Sequence, residues 1–210
     1  MLNLIDEPAT LIARVLVLLV AFTLHELAHA VTADYLGDPT PRRMGRISLN
    51  PLVHLDLMGT IMLLISGFGW AKPVMVNPYN MRGDPRRSMA IVAVAGPLTN
   101  ILLAVIFAMP FRFGLVDIET TTSGVIPSLG FVLFQFVWIN LILAFFNIIP
   151  IPPLDGSRIL FAILPAEMAY QLRPLEQYGF LILFALIFLV PNFTQIFVYP
   201  ASVVLSWLIF

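Results

Sequence analysis

The chain has 210 residues, 60% of them hydrophobic and only 11% charged, with a net charge of −1. So much apolar surface does not fit inside one water-soluble core of this size, and the near-neutral charge offers nothing to a nucleic-acid partner. The absence of cysteine excludes disulfides and thiolate metal sites.

Uncharged apolar runs approaching the roughly 20 residues that span a bilayer occur at 11–36, 89–111, 126–150, 174–190 and 193–210. The first run follows Asp6 and Glu7 where a signal peptide has a basic region, so it is expected to be a retained span. Next comes "LMGTIMLLISGFGW" at 57–70, too short and too glycine-rich for a full crossing. It suits a re-entrant or short helix, which membranes tolerate where protein covers it. The following "AKPVMVNPY" at 71–79 has β-branched residues and an extended, β-like character, limited by Pro73 and Pro78. The expected fold is all-α: a polytopic membrane helix bundle of about five to six spans, with that re-entrant or β-like segment between the first two long spans. No stretch is polar enough to form a separate soluble module, so 1–210 reads as one integral-membrane domain, with a core at 11–165 and extra spans at 174–210.

Basic residues orient the bundle. Arg42, Arg43, Arg46, Lys72, Arg82, Arg86 and Arg87 cluster between the first and second long spans, while the connection after Arg112 offers Asp117 and Glu119. The positive-inside rule puts the basic loop in the cytoplasm of a plasma-membrane protein. The end of the first span and the segment "NIIPIPPLDGSR" at 147–158 are then expected to meet on that side.

"FTLHELAHAV" at 22–31 places three costly side chains in an apolar run. His25 and His29, four apart, project from one helical face, with Glu26 about 100° around. Both histidines lie within the membrane, His29 roughly 12 Å and His25 roughly 18 Å from a helix end at Gly37. His-Glu-x-x-His is the spacing of zinc hydrolases: imidazoles suit zinc, three protein ligands leave a position for water, and a neighbouring glutamate can take the proton from that water. The motif supplies two ligands. Asp34 and Asp38 lie at or beyond the end of the same helix, Glu119 belongs to the opposite loop, and Glu167 and Glu176 lie past the turn. Asp155 is the best remaining third ligand; the prolines at 150, 152 and 153 break the helix before it. Asp155 also fits as the N-cap of a short helix beginning near Ser157.

"HELAHA" in one span and "NIIPIPPLDG" in a later one resemble the site-2 protease family of intramembrane zinc metalloproteases. "GRISLNPLVHLDLMGT", "WAKPVMVNP" and "AGPLTN" are similar to a compact branch of it without PDZ or CBS domain, so the likeness covers most of 22–160. The resemblance implies one Zn2+ per chain on His25, His29 and Asp155, Glu26 as catalytic base, and a substrate that is the transmembrane segment of another protein, cut within or near the bilayer. It makes Asn147 a donor to the substrate carbonyl. His54, opening the re-entrant piece, is a candidate for a substrate-stabilising role. Gly96, Pro97 and Asn100 read as packing devices. Two other classes fit less well: a membrane metal-ion transporter needs polar residues on several spans, and the last two spans offer almost none; a noncatalytic adaptor has no use for Glu26. Oligomeric state and substrate identity are not encoded in any recognisable way.

Overall fold

The computed structural model describes residues 8–66, 69–122 and 124–210. Asp6 and Glu7, and residues 67 and 68 of the short apolar piece, lie outside these. The described residues are helical with no strand. Four stretches are long and apolar enough to cross a membrane: α1 (Pro8–Leu36), α4 (Pro85–Arg112), α5 (Leu129–Asn147) and the broken run Ala166–Leu189. That run comprises α7 (Ala166–Leu172), the 3-10 turn Arg173–Tyr178 and α8 (Gly179–Leu189). The expected last span is the 15-residue α9 (Gln195–Ile209), about 22 Å long and so short of the roughly 30 Å hydrocarbon core. Between α1 and α4 lie the short helices α2 (Thr40–Arg43) and α3 (Leu57–Ser66), and α6 (Asp155–Ile163) follows α5. The β-like character expected at 71–79 comes down to one antiparallel bridge, Leu55 to Ala71, among the described residues.

The packing of α1 on α4 is written as two rows of every fourth residue. On α1 the row Ala9, Ala13, Val17, Ala21, His25, His29 and Ala33 is buried throughout. On α4 the row is Ser88, Val92, Gly96, Asn100, Ala104 and Ala108, also buried throughout. Residues four apart form a ridge on a helix surface, and small side chains let two ridges approach closely inside a membrane. The histidines thus occupy two slots of a packing ridge that is otherwise alanine and valine. His25 meets Asn100 while His29 meets Val92, which makes the two helices antiparallel.

The end of this pair where α1 stops and α4 begins is fixed by local chemistry. Helix α1 stops at Gly37, whose φ of +113° suits glycine. Asp38, fully buried, then accepts from Thr40 N and Oγ1, Asn77 N and Asn80 Nδ2. Helix α4 begins with Asp84 accepting from the N–H groups of Arg86 and Arg87, with Pro85 in its first turn. Arg86 reaches across to donate to the carbonyls of Phe161 and Leu164, tying the start of α4 to the end of α6. Behind the site, α4, α5 and α9 share an apolar core around Ala104, Val137, Leu141 and Ala201. The interrupted chain after α5 packs Ile149 and Leu154 against Leu183 of α8 and Phe193.

Candidate metal centre

The segment between α5 and α6 delivers Asp155 to the α1 histidines. The sequence expectation of a cap is replaced here: Asp155 is itself the first residue of α6, with Leu154 at the N-cap position and no side-chain capping bond. Gly156 is required next to it, because a Cβ there would collide with the carbonyls of Ile148 and Ile149. The backbone just after α5 thus runs against Gly156, with α6 packed on α4 and Asp155 turned toward α1.

Asp155 Oδ2 lies 3.2 Å from His25 Nε2 and 3.2 Å from His29 Nε2, and the two Nε2 atoms are 3.0 Å apart. The other ring nitrogens decide what these atoms are. His25 Nδ1–H donates to Asn100 Oδ1 at 2.5 Å, and His29 Nδ1–H donates to the Val92 carbonyl at 2.7 Å. An amide or carbonyl oxygen can only accept, so each neutral ring presents its Nε2 lone pair inward. Two imidazole lone pairs and a carboxylate oxygen then face one another, an arrangement that repels itself unless a cation lies among them. Asp155 Oδ2 has no hydrogen-bond donor of its own. The spacing also fits: a tetrahedral ion with ligands at about 2.0 Å has ligand atoms about 3.3 Å apart. The donor set of two imidazoles and one carboxylate suits zinc and leaves a fourth position open.

Asn100 corrects the sequence reading of it as a packing device. It is fully buried, its Oδ1 fixes the His25 tautomer, and its Nδ2 donates to Asn140 Oδ1 at 2.8 Å. Asn140 Nδ2 in turn donates to the Phe136 carbonyl. An amide ladder from α5 through α4 thus orients the His25 ring on α1. Gly96 has a sharper role than helix approach: a Cβ there would sit 2.5 Å from His29 Nε2 and 2.6 Å from His25 Nε2. It leaves open the space that the histidine rings and a bound ion need.

Glu26 lies one residue from His25 and is 8% exposed. Its Oε2 accepts from the Val74 N–H at 3.1 Å and lies 3.9 Å from the Arg46 guanidinium. Arg46 is buried and donates to the carbonyls of Val53 and Lys72. Burial lowers its affinity for its proton from the ordinary arginine value, with the charge of Glu26 pushing the other way; arginine stays cationic throughout. The sequence does not mark Arg46 and Val74 as partners of Glu26, because they reach it only through the loop fold.

A cavity of about 240 Å³ holds His25, Glu26, His29 and Asp155 in its wall, together with Asn147 and Val74. Asn147 Nδ2 donates to the Leu143 carbonyl at 2.9 Å, and an amide nitrogen carries a second N–H. His54 is not in that wall. It is fully buried in the loop, with Nε2 at 2.8 Å from the Ser48 carbonyl and Nδ1 without a partner. His25, His29 and Asp155 are the one group of three that could hold a metal among the described residues.

Fold and site together give a multi-pass membrane protein with three convergent side chains that could hold a metal and an adjacent carboxylate. The profile of peptidase family M50 matches residues 13–117 and 112–190. The chain is 41% identical to YwhC of Bacillus subtilis strain 168, named a candidate zinc metalloprotease, over 84% of this chain and 80% of that protein. It is 31% identical to Rip2 of Mycolicibacterium smegmatis over 80% of this chain and 64% of that one. MJ0611 of Methanocaldococcus jannaschii is 34% identical over 66% of this chain and 64% of its own length; both carry the same kind of name. The chain spans just under two thirds of these last two relatives. No solved structure matches it. The chain belongs to peptidase family M50, the site-2 protease family, and is a zinc metalloprotease with Zn2+ as its cofactor.

Proposed function

We propose that this chain is a multi-pass protein of the plasma membrane that hydrolyses peptide bonds within or near transmembrane segments of other membrane proteins. The observation that carries this reading is the convergence of two imidazole lone pairs and a carboxylate at 3.0–3.2 Å beside Glu26, at a depth set by a helix long enough to span a bilayer. His25, His29 and Asp155 hold Zn2+. When bound, the ion supplies Lewis acidity to the scissile carbonyl and brings the ionisation of water near neutral pH.

Glu26 takes the proton of the attacking water on Oε1 and passes it to the departing amine nitrogen. The Val74 N–H and Arg46 fix Oε2, so the carboxylate faces the cavity in one orientation. Asn147 offers an amide N–H where negative charge develops on the carbonyl oxygen. His54 acts at a distance, holding the loop whose backbone carries Lys72: the His54 carbonyl accepts from the Lys72 N–H at 2.8 Å. The cluster of arginines at the start of α4 and in the preceding loop supports a cytoplasmic placement of this end.

The test uses wild type and Glu26→Gln reconstituted with single-span model substrates. The variant is expected to cut at least about a hundredfold more slowly while keeping its zinc. Equal cleavage by both proteins would refute the role of Glu26, and cleavage by neither would refute the protease reading.

A further inference from the structure

The catalytic cavity does not close on itself. Pro153 and Arg158 stand in its wall and also in the wall of a second, larger cavity of about 570 Å³ at the same end of the bundle. That second space runs between the start of α4, α6, α7 and the turn after it. Its wall carries Arg86, Arg158 and Arg173 against the single carboxylate of Glu176, with the rings of Tyr79 and Tyr170 beside them. Among the described residues, no carboxylate lies within ion-pair distance of any of the three guanidinium groups. Arg86 is engaged by the carbonyls of Phe161 and Leu164, which orient it without cancelling its charge. Arg158 has only the Met89 thioether at 3.7 Å, a weak acceptor. Arg173 is exposed.

We propose that this vestibule is a specificity subsite for an acidic side chain in the substrate, on the polypeptide flanking the span to be cut. The inference rests on the protease reading above and adds to it what the enzyme selects. Arg158 sits one helical turn after Asp155, so a chain whose scissile bond lies at the metal centre passes it as it leaves the membrane. A guanidinium binds a carboxylate in fork geometry through two of its own N–H groups. The same field repels lysine and arginine, and those are the residues that ordinary spans carry on their cytoplasmic flank. The vestibule therefore discriminates by repulsion as much as by attraction, rejecting the bulk of membrane helices and admitting those with an acidic flank.

The experiment measures binding and cutting separately. Single-span peptides identical except for two glutamates, two glutamines or two lysines in the flank are titrated onto Glu26→Gln protein in detergent, with fluorescence anisotropy as the readout. Binding of the glutamate peptide roughly tenfold tighter than the lysine peptide, with the ratio falling to near one in Arg158→Gln/Arg173→Gln, supports the subsite. Arg173→Glu alone, at an exposed position, is expected to shift the preference toward lysine and serves if the double variant does not fold. Equal binding of the three peptides overturns the proposal. So does a preference that survives in both variants, or a double variant that loses phosphatidylglycerol binding and keeps its peptide preference, which assigns the site to a lipid headgroup. Cleavage of the same peptides by wild type is scored apart: acidic selectivity in binding without any cutting refutes the protease reading and leaves the subsite standing.

Discussion

Helices α1 and α8 are both apolar, and they differ in what they hold. Helix α8 reads "GFLILFALIFL", buries only Gly179 and Leu183, and carries no polar side chain. Helix α1 carries His25, Glu26 and His29 in its middle, all buried. From residue 177 to the end there is no charged residue or histidine. A polar group inside an apolar helix is costly unless it is bonded, and each of these three has its partner on another element: Asn100 for His25, the Val92 carbonyl for His29, the Val74 N–H for Glu26. The half of the bundle with cross-element polar bonds, to which Asn140 and Asp155 also belong, is the half that can hold a charged cofactor, and the stretch from residue 177 on supplies apolar contact.

Gly96 is the sharpest place to break that contrast. Gly96→Ala puts a methyl group against both ligand rings, and overpacking of a fixed site is expected to lower zinc affinity by roughly a hundredfold, measured by competition with a chelator. Trp207→Ala on α9, at an 84% exposed position, is expected to leave zinc affinity and thermal stability unchanged. Equal zinc affinity in the two variants would erase the distinction between the halves.

Asn100→Ala is the next largest. It frees the His25 ring to rotate and strands Asn140 Oδ1, and loss of such an orienting partner is expected to weaken zinc binding by about tenfold. Asn140→Ala acts one bond further out and is expected to do less. A larger effect at Asn140 than at Asn100 would mean that the ladder does not work through His25.

Much of this was legible in advance, and the limits have a physical cause. Long apolar runs gave α1, α4 and α5 to within a few residues, since bilayer thickness sets span length. The histidine spacing gave one face of one helix. The choice of Asp155 as candidate third ligand required chain topology, and broken backbone at 148–154 followed from the prolines. What escaped were the through-space partners that hold the site groups in place: Asn100 stands 75 residues from His25, and Val74 stands 48 from Glu26. Asn100 in particular has the composition of a packing contact and the geometry of an orienting one. His54 shows the reverse case, a histidine that looks available in the sequence and lies buried against Ser48 in the fold.

The smallest effect concerns the loop that carries Val74. Burial raises the Asp38 carboxyl, but bonds from Thr40, Asn80 and the Asn77 backbone outweigh it and hold the group below its ordinary value. A carboxylate held lower in the folded state stabilises it above the unfolded value of about 4, and that contribution is lost as pH falls through the folded value. Wild type is therefore expected to melt higher than Asp38→Asn at pH 7, with the gap narrowing below about pH 4. A gap independent of pH would contradict this.

The most direct measurement of the central claim is zinc per chain in purified wild type, His29→Ala, Asp155→Ala and Glu26→Gln, with folding checked in parallel. The expected result is one zinc in wild type and in Glu26→Gln and its loss from the other two. Zinc retained by folded Asp155→Ala, or absent from folded wild type, would contradict the ligand set on which the account rests.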